Sequence, residues 1–237
     1  MLRLSVMLAL TCALLGLPPS ASIAASQSAA TSIRQAVVLP YLQLRPTTAS
    51  ASELATGKLL IANRRLLDPN FAEAVILLLE YSETGAMGVI INHPTTVSLA
   101  TVLSQVQALK ERKDLVYLGG PVGREQILLL ARVAQKPEDS KQILSNVYLV
   151  SSQTSLQQIV NQNDAALRLR AYAGYAGWSP GQLDAEVARG DWHIQSTDAA
   201  TVFDTPADQL WPELIRRSEF EWAHNYQSHE LAARTLY

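Results

Sequence analysis

Apolar and polar positions change their spacing several times along the chain, and each change predicts an element. Ala74 to Leu79 is an unbroken apolar run bounded by turn residues, as in a strand buried on both faces. Lys58 to Asn63, Met87 to Ile91, Leu115 to Leu118, Gln126 to Ala131 and Val147 to Val150 predict further strands. Between Leu167 and Ala173 the pattern alternates, with Leu167, Leu169, Ala171 and Ala173 set against Arg168, Arg170 and Tyr172. Period two predicts a half-buried strand there. Helical spacing follows a Ser98 cap, where Leu99, Val102, Leu103, Val106 and Leu109 share one face. Ser152 to Gln162 predicts a second helix with Leu156, Ile159 and Val160 inward.

The segment after the alternating strand predicts a short, fully punctuated helix. Ser179 is its N-cap, Pro180 sits at N1, and Gln182 at N3 closes a capping box. Leu183 and Val187 form its apolar face, and Gly190 ends it as a left-handed cap. Short strands are expected around Trp192 to Gln195 and Thr201 to Phe203. Pro206 opens a last helix through Leu210 and Trp211, which Pro212 kinks or restarts. The tail, residues 218–237, carries Phe220, Trp222 and Tyr226 among charges and allows a helix.

The first residues change the picture of where the chain goes. Arg3 precedes a mostly apolar run from Leu4 to Leu17, Pro18-Pro19 breaks it, and Ser22-Ile23-Ala24 offers small residues for cleavage. Residues 1–25 therefore read as a signal peptide, and about 14 apolar residues fall short of a span of roughly 20. Export, in a bacterium to the periplasm, is expected; the alternative is an uncleaved signal anchor in the inner membrane. No stable transmembrane span remains after cleavage. Residues 26–56 read as a flexible leader with an apolar patch from Ile33 to Tyr41, and residues 57–217 as one domain. Cleavage also removes Cys12, the one cysteine, and with it disulfides, zinc thiolates and cysteine nucleophiles.

Charge narrows the partners. The formal net charge is −2, and the basic residues are dispersed as Arg64-Arg65, Lys110 to Lys113 and Arg216-Arg217. Direct nucleic-acid contact, which calls for clustered Lys and Arg, is not expected. His93, His193, His224 and His229 lack the spacing of a helical metal site, so no metal and no cofactor is expected.

Two motifs invite chemistry. Gly177-Trp178-Ser179-Pro180-Gly181 fits the G-x-S-x-G elbow of serine hydrolases. That elbow uses the N–H of the residue after the serine, and Pro180 has none. Losing one oxyanion donor costs roughly 2.7–4 kcal/mol of transition-state stabilisation. Gly119-Gly120-Pro121-Val122-Gly123 invites a phosphate-loop reading, but it feeds an expected strand instead of a helix. Asp68 and Asn92 have turn chemistry and follow strands, so they can also line a shared cleft at strand ends. The candidate binding residues are Asp68, Asn92, His93, Gly119, Gly120, Arg124 and Trp178.

Five stretches taken in order resemble the YqgE/AlgH family. They are Gly57-Lys-Leu-Leu-Ile-Ala62, Leu67-Asp-Pro-Asn-Phe71, Gly85-Ala-Met-Gly-Val-Ile-Ile-Asn92 with Pro94, Gly119-Gly-Pro-Val122, and Gly174-Tyr-Ala-Gly-Trp178 with Gly181-Gln-Leu-Asp184. The resemblance implies a single α+β domain, with a mixed, bifurcated and partly barrel-like sheet surrounded by helices. It implies no established enzyme activity, cofactor or catalytic residue. The family is often labelled a transcriptional regulator and is generally taken to be cytosolic. This chain departs from its pattern at Arg64, where proline is usual, and at His93, where arginine or lysine is usual. The family's histidines near Tyr81 and Leu130 are also absent. The leading expectation is an exported, non-catalytic binding or regulatory protein with an unknown small-molecule or protein partner. The alternatives are a hydrolase using Ser179 and a cytosolic transcription-associated regulator.

Overall fold

The computed structural model describes residues 50–162 and 164–234, with side chains as far as residue 221. The expected signal peptide and the leader up to residue 49 lie outside the described residues.

One long strand organises the sheet. β9 (Arg168–Trp178) pairs along its first half with β6 (Val122–Arg132), antiparallel, with Leu130 opposite Arg170. On its other edge lies β5 (Leu115–Leu118), parallel, with Val116 opposite Ala171. Past Ala173 that same edge is taken over by β3 (Gly85–Ile90), antiparallel, with Ala86 opposite Trp178. The sheet forks at this handover. Beyond β3 come β2 (Val75–Ser82), β1 (Leu59–Ala62) and β10 (Trp192–Gln195). Beyond β6 come β8 (Val147–Val150) and β7 (Ser140–Leu144), and β4 (Pro94–Ser98) hangs on β5. The result is the expected mixed, curled and bifurcated sheet of an α+β fold.

Glycine makes the fork possible. Gly119 donates its N–H to Ala173 O at 2.9 Å and accepts from Ile90 N–H at 2.8 Å, tying β5, β9 and β3 together. A Cβ on Gly119 would collide with the Gly174 carbonyl oxygen, and one on Gly120 with the Tyr175 main chain. Only glycine allows backbones this close.

The sheet separates two apolar cores. Leu130 and Tyr172 face one, shared with β1 to β3, Leu183, Val187, Trp192 and the helix residues Leu210, Trp211, Leu214 and Ile215. Leu129, Ala131 and Ala171 face the other, with Leu99, Leu156, Ile159 and Val160. Neighbouring residues point to opposite faces of a strand, and here both faces are covered. β9 is therefore not the half-buried strand that its alternation predicts, because Arg170 and Tyr172 are buried as well as Leu169 and Ala171.

Several expectations hold at the level of elements. α2 (Gln153–Asn161) starts at Ser152, whose side chain accepts from Ser155 N–H, and it buries Leu156, Ile159 and Val160. Others are corrected. The expected helix from Ser98 to Leu109 is one turn, α1 (Leu99–Val102), then a separate 3₁₀ turn at Gln107–Leu109. Leu103 leaves helical geometry at φ −111°, ψ 48°, and at the other end of the turn the free Leu99 N–H is taken by Asp114 O at 2.8 Å, just before β5. β4 and β7 give no clear strand signal in the sequence, since both are short, mainly polar edge segments. Thr201 to Phe203 is not a strand but part of α4 (Ala199–Phe203), nucleated by the Asp198 carboxylate accepting Thr201 N–H at 2.8 Å. α5 (Ala207–Arg234) runs through Pro212 without restarting. Burial of Leu210, Trp211, Leu214 and Ile215, with Trp211 Nε1–H donating to Ala62 O at 2.8 Å, holds the helix across the missing N–H.

Candidate functional site

Each sequence candidate has a definite place. Asp68 Oδ1 accepts from the Asn70 main chain at 2.9 Å and from its amide at 3.1 Å, which makes the loop after β1 turn. Asn92 Oδ1 accepts Val75 N–H at 2.9 Å, and its Nδ2 donates to Glu73 O at 2.9 Å. Its amide thus stitches the end of β3 to the start of β2. His93 follows it, half-buried, and burial holds its imidazole below the ordinary value of 6.5 against a smaller upward pull from Glu73. Gly119 and Gly120 form the fork, and Arg124 is exposed in an irregular stretch of β6 between Val122 and Ile127.

Trp178 lies elsewhere. It pairs with Ala86 at the start of β3, whereas Asn92 and His93 follow the end of that strand. Its indole N–H donates to Glu186 Oε2 at 2.8 Å, and Trp192 donates to the same oxygen at 2.9 Å. Phe71 stacks on Trp178 at 6.4 Å and meets Trp192 edge-on at 5.9 Å. This aromatic cluster pins α3 (Gln182–Arg189) to the sheet through one carboxylate.

The serine turn differs in detail from its prediction. Gly181, at φ +71°, is the N-cap of α3, and Ser179 makes no side-chain cap bond. Pro180 and Gly181 form a tight turn that shifts the helix start by two residues. Half of the capping box survives, because Gln182 Oε1 accepts Ser179 N–H at 3.1 Å. The C-terminal end is as expected, with Gly190 in the left-handed region at φ +85°.

The site that sequence reasoning missed lies under α4. Arg170 is 8% exposed and Tyr172 fully buried, both on the face of β9 that also carries Leu130. Arg170 Nη1 donates to Ile91 O at 3.1 Å, and Nη2 donates to Phe203 O at 3.3 Å. Its guanidinium carbon stands 4.6 Å from the Tyr117 ring centre and 5.9 Å from that of Phe203. Arg132, which pairs in register with Arg168, binds Asp204 through both carboxylate oxygens at 2.7 and 3.0 Å. The Arg132 bond holds the Asp204 carboxyl below its ordinary range, with help from the fields of Arg168 and Arg170. The Tyr172 hydroxyl has no hydrogen-bond partner of good geometry, and burial pushes its pKa up against the pull of Arg170. Guanidinium and neutral phenol both offer protons, so the complement of this corner is an acceptor. The only signal in the sequence is two arginines inside an apolar strand.

The model of the AlgH-like family, DUF179, matches residues 59–223. A UPF0301 protein of Streptomyces avermitilis is 34% identical over 174 residues, covering 71% of this chain and 89% of the relative. A UPF0301 protein of Mycobacterium tuberculosis is 33% identical over 173 residues, covering 71% of this chain and 84% of the relative. The solution structure of the AlgH protein from Pseudomonas aeruginosa superposes with a TM-score of 0.57 at 31% identity, covering 68% of this chain and 87% of that one. A Corynebacterium diphtheriae crystal structure has the same fold, with a TM-score of 0.59 at 24% identity and coverage of 69% of this chain and 87% of that one.

Proposed function

For a chain that belongs to the AlgH-like family, we propose a role as an exported binding or regulatory protein that holds its partner without transforming it. The observation that carries the reading is at Ser179. Its own N–H is engaged by Gln182 at 3.1 Å, and Pro180 after it has no N–H, so the turn offers no oxyanion hole to a substrate. Motif side chains support the same reading, because Asp68, Asn92, Gln182 and Glu186 are occupied in holding backbone and indole groups. Export rests on the apolar run from Leu4 to Leu17 and the small residues at Ser22-Ile23-Ala24.

A serine-directed fluorophosphonate tests the non-catalytic half. No labelling is expected; labelling that disappears in Ser179→Ala would establish a hydrolase instead. A fusion of residues 1–40 to a reporter active only outside the cytosol tests export. Activity is expected, and a silent reporter with intact fusion protein would return the chain to the cytosol and favour a transcription-associated role.

A further inference from the structure

The corner between β9, β6 and α4 gathers Arg132, Arg168 and Arg170 about a single carboxylate, that of Asp204. Arg170 is buried, and its two bonds go to main-chain carbonyls, not to a carboxylate. Buried arginines are ordinarily ion-paired, because an unpaired charge out of water is costly. A guanidinium has five N–H groups, so two bonds leave donors over. Beside it the Tyr172 hydroxyl is fully buried; among the described residues its one polar neighbour is Arg170 itself, in poor geometry, and nothing accepts the phenol proton, an arrangement that native proteins seldom tolerate without an occupant. Arg132 and Arg168 lie on the same face of the sheet, and the Asp204 carboxylate facing them is engaged by Arg132. That ion pair is where the corner meets solvent, with the Asp204 side chain 50% exposed and Arg132 19% exposed.

We propose that this corner is an oxyanion-binding site for a small ligand bearing a carboxylate or phosphate group. The Arg170 fork and the Tyr172 hydroxyl donate to the oxyanion, the Tyr117 and Phe203 rings pack against the guanidinium and hold it in place, and the Arg132–Asp204 pair is the rim of the site. Asp204 is the internal anion that an entering ligand displaces from Arg132. This assigns a ligand chemistry to the binding reading and rests on it for its biological sense.

The test is calorimetric titration of the full chain with inorganic phosphate and with acetate, each against sodium chloride at matched ionic strength. Saturable binding of one or both is expected, and the arm that saturates identifies the chemistry. Tyr172→Phe keeps the ring and removes a hydroxyl whose proton has no acceptor; it should weaken binding by about tenfold or more while the ligand-free melting temperature holds or rises. Arg170→Lys should weaken binding comparably, because the planar fork is lost. Asp204→Asn should change it the other way, tightening binding by removing the competing carboxylate.

Three results would overturn the site: no saturable binding of either anion, equal binding by chloride (an adventitious ion only), or unchanged binding in Tyr172→Phe. A clear drop in the ligand-free melting temperature of Tyr172→Phe would mean that a buried water already satisfies the hydroxyl, and would also overturn it. None of these results touches the non-catalytic reading, which fails separately on covalent labelling of Ser179.

Discussion

Single side chains in this protein act mainly as ties between neighbouring segments of the fold. Glu186 is one, since two indoles and the Gln182 amide converge on its carboxylate. Glu186→Ala leaves buried indole donors without an acceptor and should cost about 2–3 kcal/mol, read by urea unfolding followed through tryptophan fluorescence. Ser179→Ala, by contrast, removes a hydroxyl that caps nothing, and stability should stay within about 0.5 kcal/mol of the parent. That outcome separates a serine that shapes a turn through its main chain from one that caps a helix. Gly119→Ala tests the fork, because its Cβ has no space against Gly174 O and the Tyr172 side chain; a loss of about 2–3 kcal/mol is expected in the same assay. Asp68, Asn92, Gly119, Gly120 and Gly190 have the turn or close-approach chemistry that their residue types imply. Arg170 was not legible, because an arginine alternating with leucines reads the same whether its face meets water or a second layer.

Elements succeeded or failed according to what held them. α2 and α3 carry caps, turn residues and an apolar stripe that agree with one another, and both were legible apart from the two-residue shift at Gly181. α5 shows the opposite balance. Its proline contradicts local preference, and burial of Leu210, Trp211, Leu214 and Ile215 outweighs it. Pro212 is exposed, so Pro212→Ala should restore a main-chain bond at no packing cost and raise stability by about 1–3 kcal/mol in thermal unfolding. The ends of β3 and β10 carry a pH response. Burial holds both His93 and His193 below the ordinary 6.5, opposed by Glu73 and Glu219 respectively, and Asn63 hydrogen-bonds His193 at 3.3 Å. The unfolded chain then binds these protons more readily than the folded one. Stability from the neutral imidazoles is fully present above about 6.5 and is lost as the pH falls through the folded values. Melting temperature should therefore drop between pH 7 and pH 5, and the drop should shrink in the His93→Gln, His193→Gln double variant. Asp204 and Glu219 belong to a lower window, since their folded values are depressed below ordinary carboxylate values and their contribution goes only in stronger acid.

Across the whole molecule, one strand and two glycines decide the architecture. β9 is shared by β5, β6 and β3, and the handover at Gly119 and Gly120 curls the sheet so that both of its faces find cover. Apolar runs, turn residues and caps were enough to place most elements, because those signals are local and repeat at fixed spacing, while the fold class and the family rest on the resemblance of five ordered stretches to YqgE/AlgH proteins. The same local signals identified the serine turn as a poor oxyanion hole, since proline lacks an N–H wherever it stands. Tertiary structure alone decided the rest. It decided which strand edges meet, that the polar face of β9 lies beneath α4, and that the buried Arg170 and Tyr172 adjoin the more exposed Arg132–Asp204 pair. Burial depends on residues far away in the chain, so spacing along one strand can name its two faces but not what will cover them.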